Sequence, residues 1–103
     1  MEELITSDIS LNDLAEFHKQ KFGDVPPQKQ IGKVIEEYGE VLDAPTLNDM
    51  LKECCDEILA IVGLFNAYNA DINAYMKDCL IKVMNRQYPD KFKHIEESLD
   101  KPK

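Results

Sequence analysis

Residues 36–56 read EEYGEVLDAPTLNDMLKECCD, and this stretch decides how the chain folds. Pro45 cannot continue a helix, while Thr46 with Asp49 three residues on is a helix-starting pattern. The stretch is therefore the corner of a helical hairpin. Its two arms carry two acidic clusters, Glu36 to Glu40 and Glu53 to Asp56. Glu37 and Glu40 stand three residues apart, as do Glu53 and Asp56, and on a helix that spacing puts each pair on one face. Each pair lies roughly two turns from the corner, so the pairs face each other across antiparallel arms. Converging carboxylates repel and raise one another's pKa, which favours a bound cation. Oxygen donors alone suit a hard divalent ion, Mg2+ with Mn2+ as its nearest substitute. A lone EExxE is commonly a solvated helix face, since glutamate is a good helix former; the second cluster on the facing arm is what favours a metal site.

The whole chain has 103 residues, of which 44% are apolar, and a formal net charge of −8. That length suits one domain over residues 1–103, with no Gly/Ser-rich or Pro-rich linker to divide it. So small a core gains from burying further surface, so self-association is expected. The acidic balance argues against a nucleic-acid polymer as partner, because wrapping a phosphate backbone needs a basic face. A nucleotide carried with its own Mg2+ stays compatible. MEELITSDIS at the start lacks the pattern of a signal peptide, and no apolar run reaches membrane-spanning length. A soluble, cytoplasmic protein without a membrane partner is the expectation. Cys54, Cys55 and Cys79 form no disulfide framework and read as reduced, half-buried packing residues.

The rest of the chain reads as further helix. Ser10 with Asp13 starts a first one over LNDLAEFHKQKF, closed by Gly23. Its stripe is Leu11, Leu14, Ala15, Phe17 and Phe22, with His18 at the edge as a packing or surface residue. A second helix from about Gln28 to Ala44 has the stripe Ile31, Val34, Ile35, Tyr38, Val41 and Leu42. Glu37 and Glu40 fall on the flank of that stripe beside Lys33, and Glu36 lies further round as a supporting or surface carboxylate. A third helix from Thr46 to about Asn69 is expected to be the most buried. Leu47, Met50, Leu51, Cys54, Cys55, Ile58, Leu59, Ile61, Val62, Phe65 and Tyr68 form its apolar half. Its other face carries Glu53 and Asp56 and continues through Ala60 and Gly63, small residues that leave room for a ligand or another helix. A fourth helix from Ile72 to about Gln87 turns Ile72, Tyr75, Met76, Cys79, Leu80 and Val83 inward. A short helical piece from Asp90 to Leu99 follows. The fold class is all-α, a bundle of four to five helices with an acidic metal site between two antiparallel helices.

The chemistry narrows by elimination. Di-iron bundles need Glu-x-x-His motifs, covalent catalysis needs a nucleophile with a positioned base, and phosphate loops need a glycine-rich turn. The sequence has none of these, which leaves metal-assisted attack by water. KVIEEYGEVLDA at 33–44 and LKECCDEILAIVGLF at 51–65, with twelve residues between Glu40 and Glu53, resemble the EExxE…ExxD signature of the all-α NTP pyrophosphohydrolases, the MazG-like group. IKVMNRQY at 81–88 is similar to that group's basic, Asn-containing segment, and the likeness spans roughly residues 28–92.

The resemblance implies Mg2+-dependent hydrolysis of a nucleoside triphosphate to the monophosphate and pyrophosphate, in a dimer or tetramer with sites near subunit contacts. It implies Glu37, Glu40, Glu53 and Asp56 as metal ligands and catalytic carboxylates, and Asn85 as a nucleotide contact. The group usually has lysine two residues after that asparagine, where this chain has Gln87. Lys33, Lys82 and Arg86 are the nearby cations for phosphate. One of Glu37, Glu40 or Glu53 would take the proton of the attacking water. A different class of reading, a non-catalytic acidic helical module that binds a basic protein or mimics nucleic-acid charge, also fits the net charge.

Overall fold

A computed structural model describes residues 8–86. Four helices run in the order α1 (Leu11–Phe22), α2 (Pro27–Asp43), α3 (Leu47–Ala67) and α4 (Ile72–Asn85), and no strand occurs among the described residues. The expected helical piece at Asp90 to Leu99 lies outside them. No described helix is long and apolar enough to cross a membrane.

The helix starts follow local chemistry. Ser10 and Asp13 form a reciprocal capping box, with Asp13 N donating to Ser10 Oγ at 3.2 Å and Ser10 N to Asp13 Oδ2 at 2.9 Å. Gly23 closes α1 at φ 68°, a left-handed conformation that suits glycine. Pro27 opens α2, where its missing N–H costs nothing. Thr46 caps α3 by accepting from Asp49 N at 3.1 Å, and Asp71 caps α4 through Asn73 N at 3.0 Å.

The α2 and α3 helices share the most extensive contact, α1 lies on α3, and α4 makes a smaller contact with α1. With three residues between them, α2 and α3 form the antiparallel hairpin that the Ala44-Pro45 break predicts. Two side-chain bonds tie the layers. Gln30 Nε2 donates to Ala60 O at 2.8 Å, joining α2 to α3, and Asn66 Nδ2 donates to Ala15 O at 2.8 Å, joining α3 to α1.

The packing faces differ from those the apolar stripes predict. On α2 the inward line is Gln30, Val34, Glu37 and Val41, at spacings of four, three and four, and its two fully buried members are polar. Ile35, Tyr38 and Leu42 are 57–66% exposed and Ile31 is 38% exposed. On α3 the supposed open face is the packed one, since Ala60 and Gly63 are buried while Leu47, Leu51, Cys55, Ile58, Ile61 and Tyr68 are exposed. On α4 only Ile72 of the predicted inward set is buried, and Tyr75, Met76, Cys79, Leu80 and Val83 are exposed. Cys54 is half-buried, and Cys55 and Cys79 stand exposed rather than half-buried; all three are free.

The physical reason is close approach. Small residues at 60 and 63 let the helices come together around the polar line, and Val62 between them is 1% exposed. At about 100° per residue, the exposed apolar lines of α2 and α3 fall on the same side of the hairpin, opposite α1. Among the described residues no helix covers them.

Candidate metal centre and adjoining cleft

Glu37 belongs to the inward line of α2, and Glu53 sits half-buried on the facing line of α3, with Asp56 at its exposed edge. One carboxylate oxygen from each of these three lies within 4.8 Å of the other two. Glu37 also belongs to a second such group with Glu36 and Glu40. The hairpin thus brings together the four predicted ligands, with Glu37 as the shared member. Glu36 keeps to the surface, its side chain 61% exposed and its oxygen 3.9 Å from Lys33 Nζ.

The electrostatics show what holds the cluster. Lys33 Nζ donates to Glu37 Oε1 at 2.8 Å across one helical turn, and this bond holds the Glu37 carboxyl below its ordinary range against the opposing effect of burial. The same bond raises Lys33. Glu40 moves the other way, because a hydrogen bond to Glu37, then repulsion from Glu37 and Glu53, favours its protonated form. One lysine therefore compensates part of a four-carboxylate cluster.

With Glu40 ionised, Oε2 of Glu37 and Oε2 of Glu53 are buried without a hydrogen-bond partner. An unpartnered buried carboxylate oxygen is costly, and a cation between these two would satisfy both. Mg2+ binds oxygens at about 2.0–2.1 Å, which sets ligand oxygens roughly 3–4 Å apart. The oxygens of the observed cluster lie within 4.8 Å of one another, so small side-chain movements would bring them to that spacing, and the all-oxygen donor set fits a hard ion. Glu57 Oε2 is likewise buried and unpartnered. Sequence reasoning did not single out Glu57, though its place four residues after Glu53 puts it on the same inward line.

A cleft of about 530 Å3 opens beside the acids, between α1 on one side and α2 and α3 on the other. Glu37, Asp56 and Lys33 line one end, Lys29 lies beside them, and His18, Gln30, Phe22, Val25, Leu59 and Ala60 form the rest. Its size falls in the roughly 300–1,000 Å3 range of small-molecule sites. Lys33 is where the sequence places it. Lys82, Asn85 and Arg86 stand exposed at the end of α4 and do not line this cleft. Sequence reasoning passed over Lys29, one turn before Lys33, and Gln30, whose polar character hid an inward position. His18 is a packing residue, as expected, but one that also lines the cleft.

The opposite pKa shifts predict an acid-limb signature in the metal-free protein. Glu40 is raised, so its contribution to stability is present below the unfolded value and lost as pH rises through the folded one. Glu37 is lowered, so its contribution is present above the unfolded value and lost as pH falls through the folded one. Glu40→Gln should therefore flatten the gain in melting temperature on going from neutral pH into the ordinary carboxylate range, while the loss at lower pH remains. Thermal melts in EDTA between pH 7 and pH 3 check this.

No protein-family model, curated protein or solved structure matches the chain.

Proposed function

We propose that the chain is a Mg2+-dependent nucleoside triphosphate pyrophosphohydrolase of the MazG-like type, acting on an NTP or dNTP. The observation that carries this reading is the pair of buried, unpartnered oxygens on Glu37 and Glu53, beside a nucleotide-sized cleft that Glu37 and Asp56 line. Glu37, Glu53 and Asp56 would hold the ion, with Glu40 beside them. When bound, Mg2+ supplies charge neutralisation for the triphosphate and activation of water. Lys33 and Lys29 reach phosphate oxygens from the same end of the cleft. Glu40 is exposed, and its raised carboxyl makes it the best matched of the cluster to accept a proton from the attacking water.

The test is pyrophosphate release from a panel of standard and modified nucleoside triphosphates, with Mg2+ and with EDTA. Metal-dependent release of pyrophosphate, with the monophosphate as coproduct, is the expected result. Folded protein that releases none from any member would remove the enzymatic reading and favour the acidic binding module.

A homo-oligomer belongs to the same proposal. Ile35, Tyr38 and Leu42 of α2 and Leu47, Leu51 and Ile58 of α3 are each at least half exposed on one side of the hairpin. Burying such a side chain stabilises by about 1.5–3 kcal/mol, and a second copy offers the complementary surface. Lys82, Asn85 and Arg86 would then reach phosphate from a neighbouring copy. Ile35→Glu combined with Leu51→Glu should weaken self-association by roughly a hundredfold or more with helicity kept. Sedimentation across a concentration series reads this, and wild-type protein that sediments as a single chain at every concentration would refute it.

A further inference from the structure

The end of the cleft away from the acids has its own polar chemistry. Gln30 is 3% exposed and His18 is 4% exposed, and both line the cleft. They lie side by side over Gly63, because a Cβ at that position would meet His18 Nε2, His18 Cε1 and Gln30 Nε2. The missing side chain at 63 is therefore what makes space for both groups on α3.

The amide orientation of Gln30 is fixed by its partner. Ala60 O can only accept, so the group that faces it at 2.8 Å is Nε2, and Oε1 is left as the end available to a ligand. No described residue donates to that oxygen. His18 Nδ1 is buried without a partner, and burial lowers the pKa of the ring. A neutral imidazole offers one N–H and one lone pair. An oriented amide acceptor beside an imidazole, in a cleft with Phe22, Val25 and Leu59 as apolar walls, is suited to a flat heterocycle with a donor on one edge.

We propose that Gln30 and His18 form a nucleobase-edge subsite, in which Gln30 Oε1 accepts from an N–H of the base and the His18 ring forms the wall beside it. This rests on the nucleotide reading above for the identity of the ligand. The two residues set specificity and take no part in the hydrolysis. A site whose buried polar groups are paired by the right ligand penalises one that leaves them unpaired.

The experiment is calorimetric titration with the four nucleoside monophosphates and with ribose 5-phosphate as a base-free probe, in Mg2+. In wild-type protein at least one monophosphate should bind roughly tenfold or more tightly than ribose 5-phosphate, a comparison that needs no variant. Gln30→Met should narrow that ratio and leave ribose 5-phosphate affinity unchanged. Monophosphates that bind no better than ribose 5-phosphate would overturn the subsite. So would a Gln30→Met variant that weakens every probe equally, since that is the mark of a structural role. Base-dependent binding without triphosphate turnover would support the subsite and remove the pyrophosphohydrolase reading; turnover indifferent to the base would do the reverse.

Discussion

Asp56→Asn should lower Mg2+-dependent pyrophosphate release by about a hundredfold or more while the four helices persist. Asp56 is exposed and makes no hydrogen bond or ion pair among the described residues, so its replacement by an isosteric amide disturbs no packing. What it removes is one of three carboxylates that approach within 4.8 Å. Glu53→Gln removes another and should reduce turnover similarly. Glu37→Gln is informative in a different way, because it also removes the negative charge that pairs with Lys33. It should lose activity and a little stability together, the second by about 1 kcal/mol because Lys33 is half exposed. Turnover unchanged in Asp56→Asn would remove this residue from the site. Circular dichroism on each variant separates lost chemistry from lost structure.

Gly63→Leu should be among the most destabilising single changes in the described chain. In an open helix position, replacing glycine would gain roughly 1 kcal/mol of helix propensity. Here a Cβ meets the His18 ring and the Gln30 amide, and neither can swing away freely, since both are buried and Gln30 is bonded to Ala60 O. Overpacking costs about 1–3 kcal/mol and sometimes more, and the longer leucine also pushes α1 and α2 off α3. A net loss of about 3 kcal/mol corresponds to a fall in melting temperature of more than about 10 °C for a domain of this size. Gly63→Ala should lose less, and a melting temperature equal to wild type in both would mean that His18 and Gln30 do not lie over Gly63 in solution. Thermal melts of the three proteins settle the order.

The helices were legible in the sequence because their signals are local. Ser10 with Asp13, Pro27, Thr46 with Asp49 and Asp71 each act within one turn, and the observed boundaries follow them. Convergence of Glu37, Glu53 and Asp56 was also legible, since i, i+3 spacing and a short corner fix it by geometry. Which face of α2 and α3 is buried was not legible. The stripe of Ile31, Ile35, Tyr38 and Leu42 has the period and polarity of an inward face, and the strongest apolar periodicity normally marks the core. The contact that forms within the chain instead runs along Gln30, Val34, Glu37 and Val41, where the small residues Ala60 and Gly63 of α3 permit close approach. The burial of Gln30 and of His18 was not legible for a related reason, because a polar residue advertises its burial only through a partner far along the chain. Ala60 O for Gln30 and Gly63 for His18 are such partners.

The whole proposal stands on Glu37, Glu53 and Asp56, with Glu40 beside them, forming a divalent-cation site. The most direct measurement is titration of the metal-free protein with Mg2+ by calorimetry, in wild type and in Asp56→Asn, against a control of matched ionic strength in NaCl. Saturable binding is expected in wild type, with an affinity lower by about tenfold or more in the variant. A heat of Mg2+ addition equal to that of NaCl in wild-type protein would contradict it, because the cluster would then be an acidic surface that is merely screened.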